Sequence, residues 1–305
     1  MAEPYSKYPH GYQLLWDDER VKRPDVFEPA LQHHPCGFRK GEPQFRDPAM
    51  RTGWYAARRA ATDHWLQLVA NSSVGSNLVL RGSSLLRTYL GDSAREPGDM
   101  DWVVQPESIA PDDSRGRELL ASIRQLIEET NSIPGTQITW GRFAEDDIWI
   151  YSRAPGKRLT INWLAPDLPA GNVQLDFVFG EALWTPPVTT QVRLHNQQTV
   201  QLYAASPAQS LAWKLMWLEE DAYAQGKDLY DAVLLAEAYA LPDDMRERLQ
   251  IMIQPYGRRT IADWPLTWEV DWQNFQLEYP QILGNAQQWQ ERLASALAQR
   301  PNHLG

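Results

Sequence analysis

The chain has 305 residues, a single cysteine and a formal net charge of −10. One cysteine excludes an internal disulfide and is typical of a reducing, cytoplasmic setting, which is where we expect the protein. We identify no secretory signal and no apolar run long enough to span a bilayer, so we expect no membrane partner. The negative charge opposes broad, non-specific binding of nucleic acid, although a local basic cleft is compatible with it.

Residues 1–47 are rich in proline, histidine and charge and show no sustained hydrophobic period. We therefore predict an irregular N-terminal arm over the surface. His33, His34 and Cys36 suggest a metal site, but no second cluster of ligands accompanies them, so we interpret them as loop residues.

Residues 48–205 alternate helical and strand patterns. Asp47 and Pro48 predict the capped start of a helix that runs to Ala70. Further along the chain the patterns predict a short buried strand (NLVLRG), a short helix (SSLLRTYLG), a strand (DMDWVVQP), an amphipathic helix (DDSRGRELLASIRQLIEETN), four strand candidates (QITWGRF, DIWIYSR, RLTINWL, NVQLDFVFG) and a hairpin that turns near Asn196-Gln197.

From Ser206 to the end the pattern is helical, starting with a capping box at Ser206, Pro207 and Gln209. Mixed strands and helices followed by helices alone predict an α+β or α/β domain and then a helical C-terminal domain at residues 206–305.

Asp99 and Asp101 stand two residues apart at the start of an apolar strand pattern. Side chains at i and i+2 of a strand share a face, so the two carboxylates project together and repel each other. A divalent cation such as Mg²⁺ (or Mn²⁺) would offset this repulsion, because it prefers oxygen ligands.

The segment Gly82-Ser83-Ser84 lies upstream, where a strand meets a helix. Unpaired backbone N–H groups and the helix dipole favour an anion there, and the two hydroxyls can donate to phosphate oxygens. Simple N-capping explains a Gly-Ser pair equally well, but the order of strand, Gly-Ser, helix and Asp-x-Asp strand is far more specific to a phosphate and metal site.

Asp176 stands in the apolar strand pattern NVQLDFVFG. An acid in such a strand is costly unless it is paired or binds a metal, so we predict that it completes the site of Asp99 and Asp101. It could also act as general base for an attacking hydroxyl. The alternative is a half-exposed strand with Asp176 in water.

Lys214 falls within the apolar stripe of the helix that begins after Ser206, where a lysine needs an anion. The triphosphate of a nucleotide would supply one, and a lysine whose amino group reaches water is the alternative. Asp228 and Asp231 share a face of the next helix, where either could orient Lys214 or reach the metal site; the helix dipole alone also explains Asp228.

Three other charged groups receive structural interpretations. We predict a turn at residues 145–147 (Glu-Asp-Asp), and we interpret Arg58-Arg59 and Lys157-Arg158 as solvated charges, although either pair could guide an RNA backbone.

Together these motifs resemble the nucleotidyltransferase superfamily, and more closely the AbiEii/AbiGii toxin family, which includes the MenT toxins. The resemblance covers about residues 75 to 240, and Arg81 departs from it by standing where the family often has a first glycine. It is carried by Gly82-Ser83-Ser84-Leu85-Leu86-Arg87, Asp99-Met100-Asp101, Asp176, Lys214 and Lys227-Asp228-Leu229-Tyr230-Asp231.

The resemblance implies an α+β fold, with a mixed sheet and flanking helices followed by the helical C-terminal domain. It implies a nucleotidyltransferase domain at residues 48–205 that moves NMP from an NTP to a hydroxyl of RNA, with tRNA as one acceptor class, or of protein. It implies a toxin of a toxin–antitoxin or phage-defence system, with a cognate antitoxin as a partner. The implied metal ligands are Asp99, Asp101 and Asp176, and the implied nucleotide-binding and catalytic residues are Gly82, Ser83, Ser84, Arg87, Lys214 and Asp228. A non-catalytic binding protein on the same fold, or an enzyme that modifies a small molecule, are the alternatives.

Overall fold

The structure is a computed structural model that describes residues 18–29, 37–148, 154–253 and 260–299. The chain forms two compact units. The first comprises Met1–Thr88, Glu96–Ala182 and Val188–Ala204, and the second comprises Tyr89–Arg95, Leu183–Pro187 and Ala205–Gly305. Each unit is described separately below.

The described part of the predicted arm contains two short antiparallel strand pairs rather than irregular chain alone. One pair joins β1 (Val21–Lys22) to β4 (Gln44–Phe45), and the other joins β2 (Asp25–Phe27) to β3 (Phe38–Lys40). Strands of two or three residues are too short to produce a hydrophobic period, which is why the sequence pattern did not indicate them. The histidine and cysteine residues at 33, 34 and 36 lie outside the described residues.

Helix α1 (Pro48–Ala70) begins where the sequence predicts. The Asp47 carboxylate accepts a hydrogen bond from the Ala49 N–H at 2.9 Å, and Pro48 occupies the first helical position. The helix buries Trp54 and Trp65, so these tryptophans are core residues of the unit.

A seven-stranded mixed sheet is the centre of the first unit. Its strands are β5 (Leu78–Arg81), β6 (Met100–Val104), β7 (Thr139–Ile148), β8 (Gly156–Leu164), β9 (Gly171–Val178), β10 (Val188–Arg193) and β11 (Thr199–Ala204). The strand order is β10-β11-β5-β6-β9-β8-β7. Strand β5 is antiparallel to β6 and parallel to β11, β6 is parallel to β9, and β9, β8 and β7 run antiparallel in turn. This sheet and the helices confirm the predicted α+β class.

Two helices follow strands of this sheet in the chain. Helix α2 (Gly82–Leu90) starts directly after β5, and α3 (Ser114–Glu128) starts after Asp113, whose carboxylate accepts from the Gly116 N–H at 2.7 Å. The apolar stripe of α3 is buried, including Ile123 and Ile127, as an amphipathic helix requires.

The prediction of a turn at residues 145–147 is wrong. These residues lie inside β7, which forms one strand through to Ile148 and pairs with β8. A row of three acids suggests a turn by composition, but opposite-charge partners on β8, such as Lys157 facing Asp147 with 2.6 Å between Nζ and Oδ1, keep it extended.

Helices dominate the described residues of the second unit. They are α4 (Pro207–Glu220), α5 (Gly226–Ala238), α6 (Asp243–Ile253), α7 (Trp272–Glu278) and α8 (Ala286–Ala298). The Ser206 hydroxyl caps α4 by accepting from the Gln209 N–H at 3.1 Å. A two-residue parallel pair that the sequence pattern did not indicate, β12 (Ala224–Gln225) with β13 (Val270–Asp271), is added between helices.

Candidate active site

The junction of β5 and α2 brings the backbone against a carboxylate. Gly82 has a φ of +69°, and a Cβ built on it would lie 2.0 Å from Oδ2 of Asp101. No side chain larger than hydrogen fits that gap, and the positive φ itself favours glycine. The glycine is therefore required by the position of the carboxylate.

Three carboxylates meet at this junction. Asp99 lies just before β6, Asp101 lies within it, and Asp176 on β9 is in register with Asp101 across the parallel pair. One oxygen of each side chain lies within 4.8 Å of those of the other two. Asp99 and Asp101 are half-buried and Asp176 is buried. Three oxygen ligands at this spacing suit a hard divalent cation.

The two serines after Gly82 contact Asp99. The Ser83 hydroxyl donates to Oδ1 of Asp99 at 3.3 Å, and the Ser84 hydroxyl donates to the Asp99 backbone carbonyl at 2.7 Å. Both serines are buried. Ser83 therefore contacts the carboxylate of Asp99 and Ser84 contacts its backbone, while the contact of these hydroxyls with a phosphate stays a prediction.

Asp176 is held by an arginine that the sequence pattern assigned to solvent. Arg158 on β8 is in register with Asp176 and donates to both of its oxygens, from Nε at 2.8 Å and from Nη2 at 2.7 Å. Arg158 is only 5% exposed, so its interpretation as a solvated charge is wrong. A bidentate ion pair of this kind fixes the plane of the Asp176 carboxylate as well as its position.

A second buried arginine lies on the other side of the acids. Arg81 is in register with Asp101 across the antiparallel pair of β5 and β6, and its Nη1 donates to Glu181 at 2.7 Å. Residues in register share a face of the sheet, so two arginines flank two aspartates in one row across four strands. Arg81 is the position where the chain departs from the family pattern.

The other predicted pair of solvated arginines is also engaged. Arg58 is buried and its Nη1 lies 2.8 Å from Glu42, while Arg59 donates to Glu96 at 2.7 Å. The solvated interpretation is therefore wrong for Arg58, whereas the Arg59 side chain is 40% exposed. Arg87, a predicted nucleotide-binding residue, is half-buried on α2.

In the second unit the predicted residues Lys214 and Asp228 form a buried ion pair. Nζ of Lys214 lies 2.6 Å from Oδ1 of Asp228 and 3.1 Å from Oδ2 of Asp231. Arg95 also contacts Asp231, with Nη2 3.1 Å from Oδ2, and it donates to the Tyr279 hydroxyl at 3.3 Å. All four charged side chains are at most 7% exposed.

These contacts fix the charges of the buried cluster. Burial by itself lowers the pKa of Lys214, but Asp228 and Asp231 outweigh burial and raise that pKa above its ordinary value. Burial pushes the pKa of Asp231 upward, and Arg95 with Lys214 overcomes it and brings the pKa below its ordinary value. Lys214 and Asp231 are therefore both charged at neutral pH.

Arg158, Arg95 and Glu181 belong to these clusters, and the sequence pattern predicted none of them as site residues. Arg158 is one of several polar residues in an alternating strand, and Arg95 lies in a loop 136 residues from its partner Asp231. The only available signal was the presence of buried acids that needed cations, which does not identify the cation.

A Gly-Ser turn, an Asp-x-Asp strand and a third aspartate on the neighbouring strand define a site of the nucleotidyltransferase class. Residues 66–302 match the family described as Nucleotidyl transferase AbiEii toxin, Type IV TA system. The chain belongs to this family and is a nucleotidyltransferase toxin of a type IV toxin–antitoxin system. The resemblance stated from the motifs is thereby confirmed. No curated protein matches the chain.

Within the described residues, no helix combines the length and the apolar composition that crossing a membrane requires.

Proposed function

We propose that the protein transfers NMP from an NTP to a hydroxyl of a tRNA-like RNA and releases pyrophosphate, with Mg²⁺ or Mn²⁺ held by Asp99, Asp101 and Asp176. The observation that carries the proposal is the meeting of these three carboxylates within 4.8 Å beside the Gly82 turn. The family supports the transfer of a nucleotide and implies an antitoxin as a partner. A protein hydroxyl is the other acceptor to be tested.

The residues present fit a divalent ion. Three carboxylate oxygens at this distance repel one another without a cation, and they are hard ligands of the kind that Mg²⁺ prefers. When bound, such an ion would neutralise charge on the phosphates that react.

Each residue of the cluster has a separate proposed task. Asp99 is oriented by Ser83 and Ser84, and Asp101 lies against the backbone of Gly82. Asp176 has both oxygens accepting hydrogen bonds from Arg158. An oxygen already held by a fixed cation suits a stationary metal ligand better than a base that must receive a proton, so we assign Asp176 the first role.

By resemblance to the family, we assign Lys214 to the triphosphate, with Asp228 orienting it. An ammonium group has three donor hydrogens, and two aspartates contact this one. The third hydrogen is the one we assign to a phosphate oxygen.

The experiment that tests the function is transfer of label from each α-labelled NTP with Mg²⁺ to total RNA and to lysate protein. We expect one NTP to label RNA, and we expect Asp101→Asn to lose nearly all transfer while it unfolds at the same temperature as wild type. The amide keeps the size of the side chain but removes the charge that holds the cation.

Removing one of several neighbouring like charges creates no cavity, so the fold of the variant should survive. Label on protein but not on RNA would replace the proposed acceptor. No label from any NTP would favour the non-catalytic alternative, and full transfer by Asp101→Asn would contradict the proposed metal site.

A further inference from the structure

The charge of the carboxylate cluster is partly balanced by the protein itself. Three aspartates contribute three negative charges, and Arg158 contributes one positive charge through its direct pair with Asp176. The net charge of these four side chains is −2, which is the charge that one divalent ion balances. Arg81 and Glu181, which form an ion pair, together add no net charge to this sum.

The net charge of the cluster affects cation binding strongly because part of the cluster is buried. The side chains of Arg158 and Asp176 are 7% and 4% exposed, so water screens their charges little. Asp146, the residue in register with Arg158 on β7, lies on the far side of the arginine and is half-exposed, so its effect on the cluster is more screened.

We propose that Arg158 sets the divalent-ion occupancy of the site, so that the protein without nucleotide binds one ion, held chiefly by Asp99 and Asp101, and Asp176 serves as a metal ligand only when the nucleotide is bound. Arg158 is a positioning residue in this arrangement: it fixes Asp176 and supplies the positive charge that a second ion would otherwise bring. The inference rests on the metal centre of the proposed function but not on the transfer reaction.

The test is binding of Mn²⁺ alone, without nucleotide, measured by titration calorimetry and by the loss of the free Mn²⁺ spin signal. We expect wild type to bind one ion per chain. Asp176→Asn removes one negative charge from the cluster and keeps the positive charge of Arg158, so we expect Mn²⁺ affinity to fall about tenfold or more.

The double variant Arg158→Gln/Asp176→Asn removes one charge of each sign. Its cluster carries the same net charge as that of wild type, so we expect affinity to return to within about threefold of wild type. Arg158→Gln alone should raise the affinity about tenfold and permit a second ion. The matched control is Lys157→Gln, which removes a positive charge at the neighbouring position of the same strand, on the opposite face, and should leave Mn²⁺ binding unchanged.

Two results would overturn the proposal: two ions bound by nucleotide-free wild type, or equal Mn²⁺ affinity in Asp176→Asn and the double variant. If Arg158→Gln or Asp176→Asn alone fails to fold because it leaves a buried charge unpaired, the double variant, which retains neither buried charge, is compared with the remaining folded variant and wild type. Failure of wild type to bind Mn²⁺ at all would overturn the metal centre as well, whereas binding that is identical in every folded variant would overturn the role of Arg158 alone.

Discussion

Gly82 and Gly91 flank the helix that follows β5, and both have a positive φ, +69° and +59°. Their surroundings differ. A Cβ on Gly82 would meet Asp101, whereas nothing lies within 4 Å of a Cβ on Gly91. The two glycines therefore separate the cost of backbone strain from the effect of pushing on the carboxylate.

We expect Gly82→Ala to lower Mn²⁺ affinity about tenfold or more, because the new methyl group displaces a carboxylate of the cluster. Gly91→Ala should cost about 1–2 kcal/mol of unfolding free energy from the positive φ and leave Mn²⁺ affinity unchanged. Urea unfolding and Mn²⁺ titration of both variants test this pair. Equal Mn²⁺ affinity of the two alanine variants would mean that Gly82 is needed only for its backbone conformation and not for the position of the Asp101 carboxylate.

The sequence alone predicted which acids meet at the candidate site, but not which side chains contact them. Asp99, Asp101 and Asp176 stand out because an acid in an apolar strand is costly. The hydroxyls of Ser83 and Ser84 were expected to face phosphate, but they bond to Asp99. Residue type indicated hydrogen-bonding capacity, while only the folded chain determined the acceptor.

Helices α4 and α5 are joined by the buried pairs of Lys214 with Asp228 and Asp231. Removing one member of a buried pair leaves an uncompensated charge, which typically costs about 3–5 kcal/mol. Lys214→Ala should therefore lower the unfolding free energy by this amount in addition to any loss of NTP affinity.

We expect acid to reduce the contribution of Asp231 to the free energy of unfolding. The pKa of Asp231 lies below its ordinary value of 3.8, so its contribution to stability is fully present above about pH 4 and is lost as pH falls through the lowered pKa. We expect Asp231→Asn to be less stable than wild type by about 3–5 kcal/mol at pH 7, with a smaller difference below pH 3. Urea unfolding at pH 7, 5 and 3 and below measures it.

The contribution of Lys214 to stability has the opposite pH dependence. Its raised pKa means that its contribution is present below about pH 10 and is lost only as pH rises further. A suitable control is Asp147→Asn, since Asp147 is 61% exposed and its pair with Lys157 should contribute at most about 1 kcal/mol. A stability difference for Asp231→Asn that stays constant into acid would show that Asp231 does not titrate as part of the buried pair.

At the level of elements, long amphipathic or capped helices were predictable and strand limits were not. The start of α1 at Pro48 and the cap of α4 at Ser206 follow from local chemistry within four residues. Strand β7 was expected as two pieces with an acidic turn, because the partners on β8 that keep it extended come later in the chain. The domain limits at residues 48 and 206 stay predictions.

The activity of the whole molecule can be measured as its effect on the growth of a host cell, because the chain belongs to a toxin family. We expect induced wild-type protein to arrest growth of a host cell and Asp99→Asn to leave growth unaffected at equal protein levels, because the variant loses one of the carboxylates proposed to hold the cation. Colony counts with immunoblots measure this. Arrest by both proteins would separate toxicity from transfer of a nucleotide.

The sequence by itself determined the α+β class, the Gly-Ser and Asp-x-Asp motifs and the third aspartate, because hydrophobic period, helix caps and the cost of a buried acid are local properties. The tertiary structure decided which cations meet those acids. Arg158 reaches Asp176 through the register of β8 on β9, and a slip of one residue would turn it to the other face of the sheet. Arg95 reaches Asp231 across 136 residues of chain, a contact that depends on packing and that no local pattern encodes.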